Sequence, residues 1–211
     1  TIFLANEFFD SLAIKQFKKR KNQWFERYVN FQNKKKSFFY EKKINIKKIE
    51  KKIKFKISKN QNFIEYSEEG FRYLKDISQK IQINKGGLLL IDYGYTNQKM
   101  KNTLQGVSNH KFANILEHLF KIDITHNINF DLYKNFIKKI ADLDSIFTTQ
   151  KYFLKNMGIM ERAEIISKNQ NFLKKADLYY RIKRLTDEKQ MGELFKVMLI
   201  KTKRNKFNLG F

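Results

Sequence analysis

Two short apolar runs, each followed closely by polar and acidic residues, constrain the fold of this chain more than any other feature. They cover residues 2–5 and 88–91. Continuous apolar runs of this length are typical of strands covered on both faces in a parallel sheet. Ligands of open α/β sheets bind beyond the carboxyl ends of such strands. The residues that come there are Asn6, Glu7 and Asp10 after the first run, and Asp92 and Tyr93 after the second.

These acids have an ordinary structural explanation as well as a functional one. Asp10 could simply cap the next element, and Asp92 could end a strand at a turn. Acids and amides at the rim of a sheet can also bind ribose hydroxyls, an ammonium or a guanidinium group. Spacing alone does not decide between the two interpretations.

A helix is predicted between the two strands, over residues 67–83. Ser67 suits an N-cap, two acids follow it, and an apolar stripe runs along one face at Phe71, Leu74, Ile77 and Ile81. A helix that leads into a buried strand is half of a parallel α/β unit.

The remaining elements follow from similar patterns. Residues 13–31 predict two strands joined at a basic turn, and the lysine-rich segment 32–60 predicts an edge strand from the alternation of Ile53, Phe55 and Ile57. Segment 102–131 predicts a long ordered loop. Further predictions are helices at 129–142 and 161–185 and antiparallel strands at 145–149 and 194–202. The second of these helices should bury an apolar face made of Phe172, Leu173, Ala176, Tyr179 and Tyr180.

Composition limits the classes of function. The chain has no cysteine, which excludes disulfides and thiolate metal sites, and it has no apolar run long enough to span a membrane. Its net charge of +23 is compatible with nucleic-acid binding, but lysine dominates over arginine and the over-use of Lys, Asn, Ile, Phe and Tyr is typical of AT-rich codons. We therefore expect no metal and no membrane span, and regard nucleic-acid binding as the less favoured interpretation.

The predicted elements form an incomplete α/β sheet. None of the eight glycines belongs to a GxGxxG or GxGxG turn, although a doubly wound sheet that binds a nucleotide usually carries one. We therefore interpret the chain as the C-terminal part of a longer Rossmann-like protein that begins here at a central strand. Residues 1–211 would be one portion of a single domain, with a basic insertion at about 32–65.

Seven segments resemble one family in the order in which that family carries them. They are LANEFFDSLAIKQF, WFERYV, LLIDYG, TLQGVSNHKF, DITHNINFDL, TQKYFLKNMGI and MGELFKV. The family is the MidA-like S-adenosylmethionine-dependent methyltransferases, which includes a mitochondrial complex I assembly factor that methylates an arginine. The resemblance runs from Thr1 to about Ile200. Phe120–Lys121 and Phe147–Thr148 replace the family's usual Pro-Gly and Gly-Pro pairs, which puts only local loop shape in doubt.

The resemblance implies a Rossmann-like class I methyltransferase sheet with a helical elaboration towards the C-terminus. It implies S-adenosyl-L-methionine as cofactor and an arginine-containing protein as substrate, such as a respiratory complex I subunit. It would make Glu7 and Asp10 catalytic, as a clamp on the guanidinium, and Asn6 a cofactor contact. The residues assigned to the substrate side are Asp92, Tyr93, His110, Asp123 and Thr125.

Two other functions stay open at this stage. One is a non-catalytic assembly protein on the same fold, and the other is a nucleic-acid-binding module built on the lysine insertion. If the chain is a methyltransferase fragment, we expect it not to bind the cofactor alone, because the glycine-rich loop is missing. The expected location is the cytoplasm of a bacterium or the mitochondrial matrix of a eukaryote.

Overall fold

The structure is a computed structural model that describes residues 1–33, 36–108, 111–117 and 122–211. The strands are β1 (Ile2–Asn6), β2 (Lys15–Arg20), β3 (Gln23–Asn33), β4 (Lys36–Ile44), β5 (Phe63–Tyr66), β6 (Gly87–Tyr95), β7 (Gln105–Ser108), β8 (Lys111–Ala113), β9 (Asp123–Thr125), β10 (Ile128–Asn129), β11 (Leu143–Thr149) and β12 (Phe195–Thr202). The helices are α1 (Ile46–Ile53), α2 (Glu68–Asn84), α3 (Phe130–Ile140), α4 (Gln150–Asn156), α5 (Ile159–Ser167), α6 (Phe172–Thr186) and α7 (Met191–Leu194).

The main sheet has the order β1-β6-β12-β11, and β10 pairs with the end of β6. Strand β1 runs parallel to β6, with Asn6 opposite Ile91, so Glu7 and Asp92 emerge at the same edge. Strand β12 is antiparallel to both β6 and β11. The predicted parallel pairing of the two apolar runs and the predicted antiparallel closing pair are therefore confirmed.

Asp92 is buried because its side chain lies on the inward face of β6. Side chains alternate between the two faces of a strand, and Leu88, Leu90 and Asp92 share the buried face. Strand β1 differs from its prediction, because Ile2 and Leu4 are exposed rather than covered. No element among the described residues packs over those two side chains.

The second sheet is antiparallel, with the order β4-β3-β2-β5. Its β2–β3 hairpin confirms the predicted pair of strands, and the turn places Lys21 and Asn22 in the left-handed region. The edge strand predicted around Ile53 is wrong. Ile53 is the last residue of helix α1, which Asn45 caps by accepting a hydrogen bond from the N–H of Lys47, and Phe55 and Ile57 lie beyond its end.

The predicted loop 102–131 is also corrected, because it contains a small antiparallel sheet of order β8-β7-β9 and the short strand β10. These strands are only two to four residues long. Patterns of alternating hydrophobicity are not readable over so few positions.

Helix α2 confirms the prediction for residues 67–83, including its Ser67 cap, and it packs against α3 and the main sheet. The predicted helix 161–185 is instead two helices, α5 and α6, separated at residues 168–171. The predicted buried face of α6 is wrong: Phe172 is 82% exposed and Leu173 is 76% exposed, while the buried side chain is Ile182.

Candidate functional site

A short loop at the carboxyl edge of the main sheet joins the two acids that follow β1. It begins at Glu7, whose backbone lies in the left-handed region with φ 47° and whose N–H donates to the carbonyl of Ile91 at 2.9 Å. Positive φ is uncommon for a residue with a side chain, so the loop is held there by the bonds around it. Phe9, fully buried, anchors its middle in the core.

The side chain of Asp92 holds this loop in place by hydrogen bonds to its backbone. Its Oδ2 accepts the backbone N–H groups of Phe9 at 3.0 Å and Asp10 at 3.2 Å, and its Oδ1 accepts that of Tyr93 at 2.9 Å. The side chain has no exposed surface. Burial raises the pKa of Asp92 to about 8 and the nearby Asp10 carboxylate adds to the rise, against the lowering effect of the three N–H bonds.

Asp10 is buried as well, but one of its oxygens is free. Among the described residues, Oδ1 of Asp10 has no hydrogen-bond partner. Burial raises the pKa of this carboxyl, and the neighbouring Glu7 raises it further. A buried acceptor without a donor is costly, so an N–H group that reached this oxygen would remove that cost.

The carboxylate of Glu7 is exposed, and Tyr93 holds it by a hydrogen bond. The hydroxyl of Tyr93 donates to Oε2 of Glu7 at 2.8 Å, and its ring packs on Phe195 with centroids 4.3 Å apart. Burial and the bond to Glu7 raise the pKa of Tyr93, which keeps the hydroxyl a donor. Glu7 and Asp10 thus form an acidic pair at the rim, above Asp92 and beside Tyr93.

Two residues near this pair were not predicted as part of the site. The backbone N–H of His126 donates to the carbonyl of Asp10 at 3.1 Å, and Tyr133 packs its ring on Phe9 with centroids 5.6 Å apart. The Tyr133 hydroxyl is buried without a partner among the described atoms, and burial together with Asp92 and Asp10 raises its pKa. Both residues lie in or next to the segment DITHNINFDL, whose position beside an acidic loop could have been the clue.

The other predicted site residues are more dispersed. Asn6 ends β1 with an exposed side chain. Asp123 and Thr125 lie on β9 of the small sheet, where Oγ1 of Thr125 accepts a bond from Gln105 at 3.3 Å. Thr125 is next in sequence to His126, which contacts the acidic loop. His110 lies outside the described residues.

The chemistry of the acidic pair favours a cation. Two carboxylates, one with a free buried oxygen, can accept the parallel N–H groups of a guanidinium or hold another positively charged group. The described part of the chain shows no cluster of three or more His, Cys, Asp or Glu side chains placed to hold a metal ion. Within the same residues, no helix combines the length and apolar character needed to cross a membrane.

Replacing His126 by Gln should remove a pH-dependent loss of stability. Burial lowers the pKa of His126 to about 4 from its ordinary 6.5, so the unfolded chain binds the proton more readily and stability falls as pH drops from 6.5 towards 4. Between pH 7 and pH 5 the wild type should lose about 2 kcal/mol relative to His126→Gln. Urea unfolding of both proteins at the two pH values measures this. Parallel pH profiles would contradict it.

Residues 1–149 match the model of a family described as "Putative S-adenosyl-L-methionine-dependent methyltransferase". Among curated proteins, the chain is 26% identical over 198 residues to the zebrafish (Danio rerio) mitochondrial protein arginine methyltransferase NDUFAF7, covering 92% of this chain and 46% of that protein. It is 26% identical over 216 residues to the human protein of the same name, covering 92% and 44%. The chain thus spans slightly less than half the length of these relatives.

Solved structures show the same fold. The crystal structure of a Burkholderia thailandensis protein bound to S-adenosyl-homocysteine superposes with a TM-score of 0.77 at 20% identity, covering 100% of this chain and 55% of that one. A native crystal structure from the same organism gives a TM-score of 0.75 at 21% identity, covering 99% and 57%.

Proposed function

The chain belongs to the S-adenosyl-L-methionine-dependent methyltransferase family whose model covers residues 1–149, and from this membership we propose that the protein methylates arginine side chains of a protein substrate. The observation that carries the proposal is the acidic pair Glu7 and Asp10 at the carboxyl edge of the β1–β6 pair. The names of the relatives, protein arginine methyltransferases, support the proposed substrate class. The 211 residues are proposed to form the C-terminal portion of one methyltransferase domain.

The acidic rim is compatible with the proposed cofactor. S-adenosyl-L-methionine, when bound, supplies a methyl group on a positively charged sulfur. The exposed amide of Asn6, at the end of β1, is proposed to contact it. The carboxylates of Glu7 and Asp10 would favour both cations, the sulfonium and the guanidinium, at this edge.

The proposed role of the acidic pair is to orient the acceptor nitrogen. Arginine stays protonated in proteins and offers a planar fork of N–H donors. Glu7, fixed by Tyr93, and the free Oδ1 of Asp10 would each accept one of those N–H groups. The nitrogen that gains the methyl group must lose a proton, and Asp10, whose pKa burial raises, is the proposed acceptor of that proton.

Asp92 has a positioning role in this proposal. Its oxygens are occupied by three backbone N–H groups, so its burial favours holding the Glu7–Asp10 loop over direct contact with a substrate. Thr125 and Asp123 stay proposals for the substrate side, where β9 leads into the His126 contact with Asp10. A respiratory complex I subunit is the proposed substrate, in the mitochondrial matrix of a eukaryote or the cytoplasm of a bacterium.

The test uses the protein produced from its complete reading frame. Calorimetry measures binding of S-adenosyl-homocysteine, and transfer of a radiolabelled methyl group to purified complex I subunits measures activity. We expect both binding and transfer of label to arginine. Binding without transfer to any subunit would point to a non-catalytic assembly protein on the same fold, and absence of binding would contradict a methyltransferase altogether.

A further inference from the structure

A concave surface lies outside the candidate site. It is a cleft of about 1140 Å³ between the segment from Glu50 to Gln61 on one side and helix α3 with residues 97–100 on the other. Its floor is apolar, formed by the buried side chains of Ile57, Met100 and Leu132. We infer that this basic cleft binds an acidic segment of a protein substrate.

The walls of the cleft are strongly basic. Seven of its nineteen lining residues are lysines, whereas lysine and arginine together make up 44 of the 211 residues of the chain. The cleft lining is therefore richer in positively charged residues than the chain as a whole. The lysines are Lys51, Lys54, Lys56, Lys59, Lys99, Lys138 and Lys139.

These charges are not neutralised by the protein itself. Within the described residues, none of the seven lysines lies in a salt bridge with a carboxylate. Among the described residues that line the cleft, two are acids: Glu50 accepts the N–H and hydroxyl of Ser58 at 2.9 and 2.8 Å, and Asp131 lies in the first turn of α3, where the helix dipole favours it.

Side-chain hydrogen bonds join the segments that line the cleft to one another. Gln61 donates to the carbonyl of Gln98 at 2.6 Å and accepts the N–H of Met100 at 2.9 Å. Asn129 donates to the carbonyl of Asn97 at 3.0 Å. A surface that is fixed before binding loses less entropy when a ligand binds, which suits an extended, flexible segment of a partner.

The acidic segment should lie only a few residues from the methylated arginine, and this part rests on the proposed function. His126 contacts Asp10 through its backbone, and Asn129, three residues further on, lines the cleft. Three residues of chain span at most about 10 Å, so Asn129 lies no farther than that from His126. An arginine held by Glu7 and Asp10 would therefore bring residues roughly three to five positions away over the cleft.

The lining favours a peptide over a nucleic acid. Sequence-tolerant binding of single strands relies on exposed aromatic side chains on which bases stack. Of the described residues lining the cleft, one is aromatic: Phe55, whose ring packs edge-on against Phe71 and Phe136 in the core. Lysines and amides, by contrast, suit carboxylate side chains and peptide groups.

The experiment measures binding of two labelled peptides by fluorescence anisotropy, without a methyl donor. Both carry one arginine; one has four glutamates starting four residues from it, and the other has glutamines at those places. A matched pair of variants probes the site. Lys56→Gln/Lys59→Gln/Lys138→Gln removes charge from both walls of the cleft, and Lys168→Gln/Lys174→Gln/Lys183→Gln removes exposed charges on or next to α5 and α6.

We expect the glutamate peptide to bind at least about tenfold more tightly than the glutamine peptide at low salt, and less so as salt is added. The cleft variant should weaken it about tenfold and the control variant less than about twofold. Equal losses in the two variants would mean that only the net charge of +23 attracts the peptide. Tighter binding of a single-stranded oligonucleotide of equal charge would assign the cleft to nucleic acid. Either of these last two results would contradict the proposal.

The methylation rates of the same two peptides separate this proposal from the proposed function. If the cleft variant weakens peptide binding but neither peptide is methylated, the proposed methyltransferase function is contradicted and the cleft proposal is supported. If both peptides are methylated at equal rates and bind with equal affinity, the proposed methyltransferase function is supported and the cleft proposal is contradicted.

Discussion

Replacing Glu7 by Gln is expected to slow methyl transfer about 10²-fold, on the scale of losing one well-placed electrostatic contact in an active site. The substitution keeps size and shape but removes one of the two negative charges of the acidic pair. The Tyr93 hydroxyl can still donate to the amide oxygen, so the loop should keep its conformation. Affinity for S-adenosyl-homocysteine should change much less, because the charge acts mainly on the guanidinium.

The matched control for this change is Glu164→Gln, which removes the same charge from an exposed position on α5. Single-turnover transfer rates and calorimetry on the three proteins make the comparison. Undiminished turnover by Glu7→Gln would mean that Glu7 has a structural role only, and the assignment of the acidic pair would be wrong.

Replacing Asp92 by Ala should destabilise the protein by about 3 kcal/mol or more, because the buried N–H groups of Phe9 and Asp10 and the partly buried N–H group of Tyr93 would lose their acceptor. Asp92→Asn keeps the shape and one acceptor oxygen, which can still accept the N–H groups of Phe9 and Asp10. It should therefore destabilise the protein less than Asp92→Ala. Urea unfolding of the three proteins measures both changes. Equal, small losses would show that the Asp92 bonds contribute little to holding the loop.

A pH series gives a second readout of the same residue. Because the pKa of Asp92 is raised to about 8 in the folded protein, the folded state keeps a proton that the unfolded state has already lost. The contribution of Asp92 to stability is therefore full below about pH 4 and falls as pH rises to about 8. The wild type should lose stability relative to Asp92→Asn between pH 6.5 and pH 8, and the absence of that relative loss would contradict the raised pKa.

The main sheet was predictable because its strands are marked by local patterns. The runs ending at Ala5 and Ile91 mark two strands, although only the second is covered as predicted, and the α2 helix between them has both a cap and an apolar stripe. The sequence predicts a strand across the end of helix α1 because Ile53, Phe55 and Ile57 alternate by chance. The spacing of Ile46, Ile49 and Ile53, which fits a helix and packs on the core, was the better guide.

The parts that could not be predicted depend on partners distant in sequence. An apolar stripe such as that of α6 predicts a buried face only if another element covers it, and the sequence does not say whether one does. The acids at the rim were predicted, but the role of Asp92 depends on backbone N–H groups more than eighty residues away. His126 was missed for the same reason, since its contact with Asp10 arises only from the fold.

The most direct test of the central claim compares two peptides that differ at one residue, arginine or lysine, in the same flanking sequence. Both residues are cationic, but only the guanidinium offers the planar fork of donors that a pair of carboxylates can hold. Mass spectrometry after incubation with S-adenosyl-L-methionine identifies the methylated residue. We predict methylation of the arginine peptide and none of the lysine peptide within the same time. Equal methylation of the lysine peptide would contradict the proposed recognition by Glu7 and Asp10.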